Sequence, residues 1–71
     1  MDFVQVAGCD DGVTCPKMFV KDRRTLVVQG RKADRETRGH LRLAEGEDAV
    51  EVPLDQLAEA ARALEDLLQS R

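Results

Sequence analysis

Residues 17–30, KMFVKDRRTLVVQG, decide the fold. Two runs rich in β-branched and aromatic residues, KMFV and TLVVQ, flank the charged tetrad KDRR, which is the pattern of a β-hairpin closed by a short polar connection. Residues 17–20 and 25–29 are therefore expected to pair, with Gly30 ending the second strand. Upstream, FVQV at 3–6 reads as a first strand stopped by Gly8, and a loop follows to Pro16. Downstream, residues 31–46 are polar and weakly periodic. Asp34 is placed to cap a short helix over 35–41, although Gly39 weakens that helix. AEGEDAVEVP at 44–53 reads as a turn and a strand, with residues 49–52 entering the sheet and Pro53 stopping it.

The last segment, PLDQLAEAARALEDLLQSR, is helical. Leu54, Leu57, Ala61, Leu64 and Leu68 recur at spacings of three and four, with Ala58 and Leu67 beside them and charged residues elsewhere around the helix. Pro53 suits a helix start, and Asp55 and Glu59 place negative charge toward its positive end. This face is expected either to cover the chain's own sheet or to form a seam with a second chain, and a wide enough face does both. The expected fold is thus α+β: a single domain over 1–71, with a small, mainly antiparallel sheet of three to four short strands under a C-terminal amphipathic helix.

A chain of 71 residues with no Trp, no Tyr and only Phe3 and Phe19 has little large-ring area for a core. A staple or a partner chain is expected to help, and a homodimer is the simplest solution. No run of residues approaches a membrane span, and MDFVQVAG lacks the basic start and long apolar run of a signal peptide, so a cytoplasmic location is expected.

The net charge of −3 hides a partition. Residues 1–16 carry three acids and no bases, 17–42 carry nine bases and three acids, and 43–71 carry two bases and eight acids. The basic block offers Arg23, Arg24, Arg31, Lys32, Arg35, Arg38 and Arg42 to phosphates or to an acidic protein surface. No aromatic residue interleaves with these arginines, and no helix-turn-helix, finger or zipper pattern is present. Nucleic acid is therefore a weaker partner than an acidic protein.

Cys9 and Cys15 enclose five residues including Gly12. Free structural thiols are the first reading, a disulfide or redox pair the second, and a metal, with Asp10, Asp11 or His40 completing the set, the third. No cofactor is expected. No nucleophile stands in a motif with the single His, and no phosphate-binding glycine loop occurs, so an enzyme is not expected.

TCPKMFVKDRRTLVVQG, followed by EGEDAVEVPLDQL, resembles a group of small actinobacterial proteins encoded near helix-turn-helix regulators, some akin to Bld-type developmental regulators. The matching positions are Cys15, Pro16, Asp22, Arg23, Thr25, Val28, Gln29, Gly30, Gly46, Glu47, Val50, Glu51 and Pro53, and Arg24 is an extra base in the turn. The resemblance implies a regulatory or partner-binding role beside a transcriptional regulator. A nucleic-acid-binding accessory or an antitoxin-like protein using residues 17–42 is the alternative.

Overall fold

A computed structural model describes residues 1–9 and 15–69. Three strands, β1 (Phe3–Gly8), β2 (Lys17–Lys21) and β3 (Thr25–Gln29), form an antiparallel sheet in the order β1-β2-β3. The hairpin is as the sequence predicts, with Phe19 opposite Val27 and Lys21 opposite Thr25. Its connection takes left-handed backbone at Asp22 (φ 55°) and Arg23 (φ 60°), and the Arg24 N–H donates to the Lys21 carbonyl at 3.1 Å. Asp22 tolerates that conformation because its carboxylate accepts the Asp2 N–H at 2.9 Å while its own N–H donates to the Asp2 carbonyl.

β1 slips by one residue against β2 between Gln5 and Ala7, so Val6 is the extra residue of a bulge. Strict alternation would send Val6 and Ala7 to opposite faces. Both are buried, and they join Met18, Val20 and Ala60 in the core, with Val28, Val52, Ala63, Leu64 and Leu67 packed partly against it.

Residues 49–52 do not enter this sheet. A two-residue strand β4 (Arg31–Lys32) pairs instead with β5 (Val50–Glu51) in a separate antiparallel ladder, Arg31 opposite Glu51. Gly30 permits it: a Cβ there would stand 2.8 Å from both the Glu51 carbonyl oxygen and a Val52 methyl. Between these strands Asp34 caps α1 (Arg35–Arg38), which is shorter than the sequence suggests because Gly39 closes it.

The C-terminal helix α2 (Leu54–Gln69) matches its predicted extent and packs on β1. Its first turns lie at the Gly8–Lys17 end of the sheet, where Gln56 Nε2 donates to the Pro16 carbonyl at 2.9 Å and the Gly8 N–H donates to Glu59 Oε1 at 3.4 Å. Its rotation goes against one of the two expected uses of the leucine row, as cover for the chain's own sheet. Of the five residues assigned to the core or self-association face, only Leu64 packs on the sheet. The contact centres on Ala60, 1% exposed, with Ala63 and Leu67, while Leu54, Leu57 and Leu68 are 84%, 56% and 65% exposed and Ala61 is open. Small side chains at 60 and 63 let the helix backbone approach the strands closely, and the leucines turn aside. At 100° per residue, Leu54, Leu57, Ala61 and Leu68 lie about 60–120° round the helix from Ala60.

Candidate interaction surfaces

The basic block folds into two groups rather than one patch. Arg23 and Arg24 occupy the hairpin tip, and Arg31, Lys32, Arg35, Arg38 and Arg42 lie beyond the other end of β3. Six residues of extended chain separate Arg24 from Arg31, seven steps or roughly 23 Å. At the tip, Arg23 Nε approaches Asp2 at 3.7 Å. In the second group Asp48 receives both Arg38 and Lys32, the latter at 3.8 Å. Among the described residues Arg24, Arg31, Arg35 and Arg42 have no ion-pair partner. Lys17 is withdrawn from the surface: its side chain is buried and its ammonium donates to the Cys15 carbonyl at 3.1 Å.

Two carboxyls beside this second group are perturbed. Asp34 is held below its usual value by the Thr37 backbone N–H and then by the Thr37 side chain. Asp48 is lowered by the Arg38 hydrogen bond first, then by the Ala49 N–H. A carboxyl lowered in the folded state stabilises it above the unfolded pKa, and that contribution is lost as pH falls through the folded value. The α1 cap and the Asp48 clamp are therefore expected to loosen only below about pH 4. Carboxyl-carbon NMR should show both aspartates titrating below 3.8. Midpoints at or above that value contradict the geometry.

The cysteines are joined, which corrects the expectation of free thiols: Cys9 and Cys15 form a disulfide across a Cα–Cα separation of 6.1 Å. The reason lies in strand pairing. Gly8 stands opposite Lys17 at the end of the β1–β2 ladder, so the chain leaving at Cys9 and returning at Cys15 starts and finishes side by side. The Cys9 N–H donates to Cys15 Sγ at 3.1 Å. Closing so short a loop contributes on the order of 2 kcal/mol. No helix among the described residues is long and apolar enough to cross a membrane.

Two open clefts adjoin the disulfide. One, about 640 Å³, is lined by Cys15, Pro16, Gln29, Arg31, Glu51 and Val52 among others. The other, about 490 Å³, runs past Gly8, Cys9 and Cys15 to Asp55, Gln56 and Glu59. Gln56 Oε1 is buried and has no hydrogen-bond partner among the described residues. Among the described residues no three metal-ligating side chains gather. Asp10 and Asp11, considered with the cysteines as ligands, lie outside the described residues, and His40 is exposed beyond α1.

Apolar surface is more extensive than the sequence suggests. Besides the helix stripe, the sheet face away from α2 carries Phe3 and Phe19, stacked with ring centroids 4.8 Å apart, in register with Val27. On the helix side Leu26, opposite Val20 and 45% exposed, lies uncovered. The signal for this was available: MFV and LVV are apolar on both alternating faces, as strands covered on both sides are. In comparisons with protein-family models, curated proteins and solved structures, nothing matches this chain.

Proposed function

We propose that the chain is a small non-enzymatic interaction module that pairs with a second copy through α2 and offers its basic ends to an acidic protein partner, working alongside a transcriptional regulator. The carrying observation is surface left over after folding. The chain exposes 5886 Å², about a third more than the roughly 4,400 Å² expected of a compact monomer of its mass. A standard interface covers about 800 Å² on each partner, so the surplus is large enough for one. Its most exposed leucines, Leu54, Leu57 and Leu68, share one stripe. With Ala61, and with Leu64 at the border between this stripe and the sheet contact, they alternate spacings of three and four, the seam along which two helices pair. The regulatory part of the reading is supported by the resemblance of residues 14–30 and 45–57 to proteins encoded beside regulators.

Sedimentation velocity across micromolar concentrations tests this. The wild-type mass is expected to exceed 7.9 kDa and approach twice that value. The double variant Leu57→Glu, Leu68→Glu is expected to sediment as a monomer with unchanged far-UV circular dichroism, because both side chains are exposed in the single chain. A wild type that stays monomeric, or a variant that keeps the wild-type mass, overturns the pairing. Binding to duplex DNA that falls steeply with salt would favour the nucleic-acid accessory instead.

A further inference from the structure

β3 ends the main sheet. Among the described residues it pairs with β2 on one side only, so alternate N–H and C=O groups along Thr25–Gln29 point away from the sheet with no described strand to receive them. Edge strands are normally blunted by a charge, a proline or a bulge within the strand. TLVVQ has none of these, and its pairing with β2 is regular over all five residues. The charges sit at its ends instead, with Arg23 and Arg24 before it and Arg31 and Lys32 after it. Arg24 and Arg31 have no ion-pair partner among the described residues.

We infer that the β3 edge receives an extended segment of a partner protein, a run of four or five β-branched or aliphatic residues with acidic residues at both ends, added as a fourth strand. Main-chain hydrogen bonds supply the attachment in such strand addition, and side-chain neighbours supply the selection. Here both faces of the new strand meet apolar surface, Val27 with Phe19 behind it on one side and Leu26 and Val28 on the other. The flanking acids of the incoming segment meet the arginines. A second copy of β3 fits less well. Antiparallel pairing of the two strands about Val27 sets Arg23 of each chain opposite Arg31 of the other, with Arg24 next to that pair, and opposed like charges are destabilising. The inference rests on the reading of the chain as an interaction module but not on its self-association.

The test uses two synthetic peptides, each with five alternating Val and Thr residues, one flanked by paired Asp and Glu and the other by paired Lys. Each is titrated into ¹⁵N-labelled wild type and into Leu57→Glu, Leu68→Glu. The acidic-flanked peptide is expected to shift the amides of Thr25–Gln29 in both proteins, and to bind about tenfold more tightly than the Lys-flanked one. The charge-reversed double variant Arg24→Glu, Arg31→Glu is expected to invert that preference, and both positions are exposed, so the fold is retained. Equal affinity for the two peptides, shifts confined to α2, or no shift along Thr25–Gln29 would each overturn the proposal. So would pairing of wild-type chains through the β3 edge in the absence of peptide. Failure of the helix seam shows instead as a monomeric wild type that still binds the acidic peptide.

Discussion

Ala60→Glu is expected to unfold the chain. Ala60 is 1% exposed, the most buried residue of α2, and stands where the helix meets β1 and β2. A carboxylate there is desolvated among Val6, Ala7, Met18 and Val20, and the buried cation among the described residues, Lys17, already donates to the Cys15 carbonyl. The cost of such burial is on the order of 4 kcal/mol or more. A domain of this length has roughly 4–10 kcal/mol in all. Far-UV circular dichroism at low temperature should show loss of helix, or a urea midpoint near zero. The comparison with Leu57→Glu, which is expected to keep its fold because Leu57 is exposed, separates the two rotations of α2. Had the 54-57-61-64-68 row been the core face, position 57 would be the intolerant one and position 60 the neutral one.

Gly8→Ala is expected to have the second largest effect, about 3 kcal/mol or more. Gly8 has φ 106°, outside the region that residues with a Cβ adopt readily, and the new methyl would stand 2.4 Å from the Pro16 carbonyl oxygen and 2.9 Å from the Lys17 Cα. Both neighbours are backbone, so relief requires moving β2 away from β1. The displaced Pro16 carbonyl is the acceptor for Gln56, and the displaced Gly8 N–H is the donor to Glu59, so the start of α2 is loosened as well. The check is a urea melt combined with amide exchange. Lost protection should begin at Gly8, Lys17 and the first turns of α2, and wild-type stability would contradict the backbone geometry.

What the sequence makes legible is local. Residues 17–29 predict their own hairpin because both strands and the turn are contiguous, and α2 is recovered over its whole length because an amphipathic period and Pro53 mark it. What it hides depends on distant partners. The Cys9–Cys15 bond follows from Gly8 facing Lys17, a pairing visible only once β1 and β2 are known to be neighbours. The strand at 49–52 was expected in the main sheet, but β4 claims it because Gly30 lets the chain at Glu51 and Val52 approach so closely. The helix shows the same limit: its leucine row is the better apolar stripe by composition, but alanines fit closer to a sheet, so the sheet takes the alanine row. The basic block is contiguous in sequence and divided in space because a strand runs through its middle.

The central claim is that α2 divides its apolar arc, giving Ala60, Leu64 and Leu67 to its own sheet and Leu54, Leu57 and Leu68 to a second chain. An isotope-filtered NOE experiment on an equimolar mixture of ¹³C-labelled and unlabelled chains measures this directly. Interchain NOEs are predicted among the methyls of Leu57, Leu68 and Ala61, with only intrachain NOEs linking Ala60 to Val6 and Met18. Interchain NOEs absent at millimolar concentration, or intrachain NOEs placing Leu57 and Leu68 against Met18 and Val20, would contradict it.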